Sequence, residues 1–176
     1  MADVKILAPI ILSFEGGYQC FPEDRGNYNS NGVLVGTNMG IAALTYETAT
    51  GNVPTVDDMR NISKELFTEI LKKYFWDRWM GDQINNQSVA EILVDWVWAS
   101  GHWGITIPQR ILGVTADGVV GTKTITALNA TDQHNFFDQV KSARFTFINN
   151  LVTMDLSQQK FEKGWNERVN SYTFQQ

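Results

Sequence analysis

Hydrophobic side chains recur at intervals of three and four residues along most of the chain, which is the spacing of amphipathic helices. The five stripes are Val4, Leu7, Ile10, Ile11 and Phe14; Leu66, Phe67, Ile70, Leu71, Tyr74 and Phe75; Ile92, Leu93, Trp96 and Val97; Phe136, Phe137, Val140, Phe147, Ile148 and Leu151; and Phe161, Trp165 and Val169. Ser63 stands before the second stripe as an N-cap, and Ser88 followed by Glu91 forms a capping-box pattern before the third. We therefore predict an all-α fold class.

One segment, residues 25–40, lacks the helical periodicity. It is rich in glycine and asparagine, and an Asn31-Gly32 pair precedes the apolar run Val33-Leu34-Val35. An Asn-Gly pair favours a tight turn that leads into a strand. We expect a small β-hairpin inserted among the helices, so the predicted fold is mainly helical with one hairpin.

The composition excludes several kinds of site. The 176 residues include one cysteine, Cys20, and two histidines, His102 and His134. A single cysteine cannot form an internal disulfide, and two histidines cannot form a zinc site unless several carboxylates help. The net charge of −5 has the wrong sign for neutralising phosphates, and no Lys/Arg cluster offsets it. We expect no metal, no cofactor and no nucleic-acid partner.

The N-terminal apolar run lacks the marks of a targeting segment. Asp3 precedes the run, Lys5 is the one basic residue beside it, and Gly16 and Gly17 follow it. A signal peptide has a basic start and a small-residue cleavage site, and a membrane span needs about 20 apolar residues. We expect synthesis in the cytoplasm without a signal peptide and no insertion into a membrane.

Glu15 is placed unusually, at the end of the first predicted helix and before Gly16-Gly17. A carboxyl group there faces the negative end of the helix dipole, which disfavours its ionised form. A protonated carboxylic acid is what a glycosidase needs to protonate a leaving glycosidic oxygen. By position alone an ordinary surface glutamate is the commoner explanation, but the residues that follow favour a catalytic role.

Those residues supply further polar groups. Asp24 is a second carboxylate in the segment after Glu15, and Thr37 and Asn38 add a hydroxyl and an amide. Two carboxyl groups about 5–5.5 Å apart suit a covalent nucleophile, and about 6.5–9.5 Å leaves room for a water molecule. The sequence leaves both mechanisms open.

Several ordered motifs together resemble glycoside hydrolase family 108, lysozyme-like N-acetylmuramidases also described as secretion activators. The motifs are Glu15-Gly16-Gly17-Tyr18 with a following Pro and Asp, Thr37-Asn38-x-Gly40-Ile41, Gln109 to Val114, Asp117 to Gly121, Lys123-Thr124, and Phe161-x-x-Gly164-Trp165-x-x-Arg168-Val169. The resemblance covers nearly the whole chain. It implies a lysozyme-like catalytic region over residues 1–88 with the hairpin at its cleft, and a helical peptidoglycan-binding region over residues 89–176 packed against it.

The resemblance also implies roles for individual residues. The family's catalytic acid falls on Glu15, and Asp24 and Thr37 match the Asp and Thr that accompany it in related phage-type lysozymes. The implied reaction is hydrolysis of the β-1,4 bond after N-acetylmuramic acid. Two features depart from the family, namely the longer excursion over residues 25–36 and Phe21, which stands where the family often has a polar residue.

Aromatic residues supply candidates for holding the glycan. Aromatic faces stack on pyranose rings, so Tyr18, Trp98 and Trp103, together with Asn38, are predicted substrate-binding residues. Trp96 continues a helical stripe and is expected in the core.

Three hypotheses about function follow. The first is a peptidoglycan hydrolase that acts on glycan strands at the cell wall or periplasm after release or export. It would be a monomeric, endolysin-like enzyme of phage or prophage type, and a holin-like or export partner is left open. The second, motivated by Phe21 and the altered hairpin, is an inactive adaptor or secretion factor of the same fold. The third, a zinc amidase, is disfavoured by the shortage of His and Cys.

Overall fold

Nine α-helices account for most of the chain. The computed structural model describes all of residues 1–176. Its α-helices are α1 (Val4–Phe14), α2 (Ala43–Thr50), α3 (Val56–Arg60), α4 (Lys64–Leu71), α5 (Gln87–Ser100), α6 (Trp103–Ile111), α7 (Thr122–Ala130), α8 (Gln133–Met154) and α9 (Gln159–Ser171). Short 3₁₀ helices span Arg25–Asn27, Asp77–Trp79, Gly81–Gln83 and Leu156–Gln158, and a π-helical segment spans Lys72–Trp76. The predicted mainly helical class is confirmed, and no helix combines the length and apolar character that crossing a bilayer requires.

Contacts divide the chain into two compact units. The small unit is Lys5–Lys72, and the large unit is Met1–Val4 with Lys73–Gln176. The functional division predicted from the sequence, residues 1–88 and 89–176, concerns activity rather than contacts and stays a prediction.

The small unit is built on α1 and α4. The apolar stripe of α1 buries Leu7 and Ile11, while Pro9 lies on the exposed side of the continuous helix. α4 begins where the sequence predicts it, because the Ser63 hydroxyl accepts a hydrogen bond from the Leu66 amide at 3.1 Å. The helical stripes therefore pack as their periodicity indicates.

The predicted β-hairpin is not shown. The segment carries single β-bridges, Tyr28 with Leu34 and, further along, Asn38 with Ile41. Backbone bonds do cross the segment, since the Asn27 carbonyl accepts from the Val35 and Gly36 amides and the Val33 carbonyl accepts from the Asn29 amide, but they do not extend into a ladder. The Asn29 side chain takes the Asn31 and Val33 amides. Side chains that bond to nearby backbone groups compete with a ladder in this way.

The large unit is built around α5, which packs against α6 and α8. The consecutive residues 88–97 of α5 are all buried. Its N-cap is Asn86, whose side chain accepts from the Val89 amide at 3.1 Å, so the capping box predicted at Ser88 and Glu91 is wrong. Tertiary structure explains the difference, since the Ser88 hydroxyl instead accepts from the Gln175 amide at 3.0 Å.

Three charged side chains meet inside the large unit. Asp95 of α5 is 0% exposed and accepts from Arg144 of α8 at 2.8 Å and from Arg168 of α9 at 2.7 Å. Burial alone would raise the pKa of Asp95, but the two guanidinium charges and their hydrogen bonds outweigh it and hold the pKa below its ordinary value. The ionised Asp95 therefore ties three helices together.

Candidate functional site

Glu15 follows the last residue of α1 directly. The helix ends at Phe14, and the Glu15 side chain is half-buried while Gly16 and Gly17 are exposed. No atom lies within 4 Å of where a side chain at either glycine would begin. The carboxyl group thus sits at the helix end predicted from the sequence, beside an open stretch of backbone.

A two-way backbone contact brings residues 19 and 37 together. The Gln19 amide donates to the Thr37 carbonyl at 2.9 Å, and the Thr37 amide donates to the Gln19 carbonyl at 2.8 Å. Thr37 is buried at this bridge. Because Gln19 lies only four residues after Glu15, the bridge holds Thr37 against the segment that Glu15 opens.

Tyr18 closes the same segment. Its hydroxyl donates to the Val35 carbonyl at 2.9 Å, and the Arg60 guanidinium lies 4.9 Å from its ring centroid. A hydrogen bond with the Cys20 thiol and partial desolvation raise the pKa of Tyr18, and the Arg60 charge opposes the rise. The ring therefore has a structural role here, and sugar binding by Tyr18 stays a prediction.

Asp24 and Thr37 approach each other around Gly26. The Asp24 side chain caps the 3₁₀ helix and accepts from the Gly26 amide at 2.8 Å through Oδ1. A Cβ placed on Gly26 would stand 3.2 Å from Asp24 Oδ1 and 3.8 Å from Thr37 Cγ2. Two of the residues predicted for catalysis therefore flank Gly26, Asp24 with its exposed carboxylate and Thr37 with its methyl group, and the Gly26 amide orients the carboxylate.

Asn38 is an anchor for the turn that follows. Its side-chain amide donates to the carbonyls of Met59 at 2.9 Å and Arg60 at 3.1 Å, at the end of α3. The next two residues, Met39 and Gly40, have φ of 52° and 73°, which is the left-handed pair of a tight two-residue turn. The amide nitrogen of Asn38 is therefore engaged by backbone, and its predicted contact with substrate stays a prediction.

Gly36 yields a stability prediction. It has φ of +88°, and an added Cβ would stand 2.6 Å from both the Gln19 carbonyl oxygen and Tyr18 Cε2. We expect Gly36→Ala to destabilise the protein by about 2–4 kcal/mol, from left-handed strain plus overpacking, and to impair the site because Thr37 must shift. Urea unfolding measures the change.

A matched control exists at Gly32. Its φ is +72°, but nothing lies within 4 Å of an added Cβ. Gly32→Ala should therefore cost only about 1–2 kcal/mol, the strain of the left-handed backbone. Equal losses from the two substitutions would contradict the close packing of Tyr18 on Gly36.

The two predicted tryptophan platforms belong to the large unit. Trp98 is half-buried and packs on Phe75 with ring centroids 4.6 Å apart. Trp103, at the start of α6, is 41% exposed and lies 4.4 Å from the His102 ring. Trp96 is buried in the core, as its helical stripe indicates. Of the two candidates, Trp103 offers the more accessible aromatic surface.

A buried glutamine organises the motif after α6. Gln109 is 0% exposed, and its side chain donates to Asp117 Oδ1 and the Val119 carbonyl while accepting from the Gly118 amide. Hydrogen bonds from the Val119 amide and from Gln109 hold the pKa of Asp117 below its ordinary value. The dependence of this turn on Gln109 was not predicted, because a buried amide leaves no periodic signal.

The arrangement in the small unit is suited to acid-assisted bond cleavage. One carboxyl group, Glu15, is partly shielded from water at a helix end, and a second, Asp24, is exposed and fixed beside a threonine. Two carboxyl groups in different surroundings are the usual basis for separate acid and stabilising roles.

Comparisons with known proteins point the same way. The family model "Glycosyl hydrolase 108" matches residues 8–101, and the model "Predicted Peptidoglycan domain" matches residues 103–170. Among solved structures, that of Brucella abortus SagA is similar with a TM-score of 0.74 and 28% sequence identity, over 95% of this chain and 89% of that one. Among curated proteins the comparison finds no match.

Proposed function

Because the chain belongs to the glycosyl hydrolase 108 family and carries a region matching a peptidoglycan domain, we propose that it is a peptidoglycan hydrolase. In this proposal it cleaves the β-1,4 bond after N-acetylmuramic acid by general acid catalysis. The observation that carries the proposal is that the Asp24 carboxylate and the Thr37 methyl group flank Gly26, in the segment that follows Glu15.

Glu15 acts as the general acid. Its half-buried carboxyl donates a proton to the oxygen of the breaking glycosidic bond, so that the leaving sugar departs as a neutral alcohol. The bond between the anomeric carbon and that oxygen breaks, and water supplies the hydroxyl that replaces it. The second proton of that water restores the protonated Glu15 carboxyl, directly or through solvent. The exposed glycines that follow, Gly16 and Gly17, keep side-chain atoms away from the place where the sugar must approach.

Asp24 supports the positive charge that develops on the sugar ring. Its carboxylate is oriented by the Gly26 amide, which reduces the reorganisation needed when the oxocarbenium-like state forms. Thr37 is fixed by the bridge to Gln19 and orients water or the sugar. Tyr18, Asn38, Trp98 and Trp103 are proposed substrate contacts, and no cofactor takes part.

The place of action is part of the proposal. The predicted peptidoglycan domain supports peptidoglycan as partner, so the protein acts at the cell wall or periplasm after release or export. In this proposal, residues 1–88 form the catalytic region and residues 89–176 hold the glycan. The same proposal includes a holin-like or export partner, a phage or prophage origin and a monomeric state.

An inactive adaptor of the same family is the second candidate. It is favoured by Phe21, which is 54% exposed in the segment between Glu15 and Asp24 and places an apolar ring where the family often has a polar residue. An adaptor predicts that the protein sediments with peptidoglycan but releases nothing from it.

Turnover of purified peptidoglycan separates the two candidates. The enzyme should release reducing ends in proportion to time and protein concentration, and borohydride reduction of the products should convert N-acetylmuramic acid, rather than N-acetylglucosamine, to its alditol. Reduced N-acetylglucosamine would show that the other glycosidic bond is cut. Binding without any new reducing ends would favour the adaptor.

A further inference from the structure

A pocket of about 110 Å³ lies between α5, α8 and α9 of the large unit. Its walls are aromatic and aliphatic, formed by Trp96, Phe147, Leu151 and Trp165, and two arginines, Arg144 and Arg168, also line it. All of these residues lie outside the segment that carries Glu15, Asp24 and Thr37. The proposed hydrolytic chemistry makes no use of this pocket.

The charge presented to the pocket is positive. Its lining contains both arginines and no acidic residue, and Asp95, which is 0% exposed, is not part of the wall. The Arg168 side chain is 15% exposed and the Arg144 side chain 4%, so Arg168 is the arginine that a ligand can reach. Asp95 accepts from both arginines and so fixes their positions. An incoming anion would therefore meet donors that are already ordered, which lowers the entropic cost of binding it.

The apolar walls of the pocket determine which chemical group can be attached to the bound anion. Phe147, Leu151 and Trp165 offer apolar surface with few hydrogen-bonding groups, which suits a short apolar body better than the hydroxyl-rich rim of a sugar. The volume is below the roughly 300–1,000 Å³ of sites that enclose drug-sized ligands. It therefore suits a single small residue rather than a length of glycan.

We propose that this pocket binds the free carboxylate end of a peptide whose last residue has a small apolar side chain. The inference rests on the proposed function, since the peptide stems of peptidoglycan supply such ends at the substrate that the small unit would cleave. The carboxylate bonds to the Arg168 guanidinium, and the apolar side chain packs on Phe147 and Trp165. The large unit then holds the peptide part of the substrate.

Binding of a model peptide tests the assignment directly. The probe is N-acetyl-Lys-D-Ala-D-Ala, compared with the same peptide bearing a C-terminal amide, in titration calorimetry with the full chain. Loss of the charge-assisted hydrogen bonds should weaken binding of the amide at least about tenfold, or 1.4 kcal/mol. Equal affinity for acid and amide, or no binding of the acid, would overturn the assignment.

Two variants locate the binding. Ala99 lines the pocket and is exposed, so Ala99→Phe should fill the mouth and weaken the peptide at least tenfold. Ala130, exposed at the end of α7 and outside the pocket, is the matched control, and Ala130→Phe should bind as the wild type does. If circular dichroism shows that both variants are folded and Ala99→Phe still binds the peptide as the wild type does, the pocket assignment is overturned.

Two further binding measurements distinguish this inference from a lipid site and from failure of the hydrolase proposal. Decanoate carries a carboxylate on a long apolar chain, and its binding in preference to the peptide would replace the peptide assignment with a lipid one. Glu15→Gln should bind the peptide with wild-type affinity, because Glu15 belongs to the small unit. Peptide binding without peptidoglycan turnover would leave the pocket assignment standing while the hydrolase proposal fails, and turnover without peptide binding would do the reverse.

Discussion

Replacing Glu15 with glutamine is expected to lower the rate of reducing-end release from peptidoglycan by about 10²- to 10⁴-fold, the usual contribution of a general acid. Glutamine keeps the size and polarity of the half-buried side chain at the end of α1. Its amide has no proton that it can give to a leaving oxygen. The loss should therefore fall on the bond-breaking step, with kcat lowered and binding of peptidoglycan retained in a sedimentation assay.

Glu23 provides the matched control for this experiment. It is an exposed glutamate in the same segment, beside Asp24, and Glu23→Gln makes the same substitution without touching the proposed acid. We expect it to keep activity within about twofold and stability within about 0.5 kcal/mol. Wild-type turnover by Glu15→Gln would remove Glu15 from the mechanism.

Asp24→Asn distinguishes the two carboxyl groups. Asparagine can still accept from the Gly26 amide through its side-chain oxygen, so the turn should survive, but the negative charge is gone. If that charge stabilises the developing cation, activity falls while the fold is unchanged. Full activity in Asp24→Asn together with an inactive Glu15→Gln would restrict the catalytic assignment to the acid alone.

The largest stability effect is expected at Asp95. Asp95→Asn leaves Arg144, which is 3% exposed, and Arg168 without the carboxylate that both contact. Removing one partner from a buried ion pair costs about 3–5 kcal/mol, because the remaining charge stays buried. For a chain of this size that corresponds to a melting temperature lower by about 6–20 °C. Urea unfolding followed by circular dichroism gives the free energy.

The pH dependence of stability checks the same cluster. The pKa of Asp95 is held below its ordinary value in the folded protein, so its stabilising contribution is complete above the unfolded pKa of about 3.9. That contribution is lost as the pH falls below about 4 and through the folded pKa, because the unfolded chain then binds the proton more readily. The wild type should therefore lose more stability than Asp95→Asn over this acid range.

Asp138 is the control for both measurements. Its side chain is 65% exposed and lies 3.7 Å from His134 in a surface pair. Asp138→Asn should change the free energy of unfolding by no more than about 0.5 kcal/mol. Wild-type stability in Asp95→Asn would mean that the two arginines do not depend on this carboxylate.

The helices were predictable because their signal is local. Apolar positions repeat every three to four residues in α1, α4, α5, α8 and α9, and each helix buries part of its stripe, although α9 buries only Val169. The Ser63 cap was predictable for the same reason, since its partner amide lies three residues away. The family was recognisable because its motifs occur in order, and the family comparison confirms it.

The predicted features that failed depend on competition between local and distant partners. Ser88 has the pattern of a capping box, yet its hydroxyl meets the Gln175 amide, 87 residues away. Asn31-Gly32 has the pattern of a hairpin turn, yet the Asn29 side chain takes the Asn31 and Val33 amides and only a single bridge, Tyr28 with Leu34, forms beyond it. A local pattern indicates which hydrogen bonds a residue can form, and the folded structure decides which of those hydrogen bonds it does form.

The sequence by itself determined the helical architecture and the position of Glu15 at the end of α1, since both follow from spacing within a few turns of chain. Only the tertiary structure decided that Asp24 and Thr37 flank Gly26, and that Asp95 holds Arg144 and Arg168 across 49 and 73 residues. Such contacts leave no periodic trace in the sequence. Their geometry depends on how whole helices and turns pack, which fixes the distances between groups that are far apart along the chain.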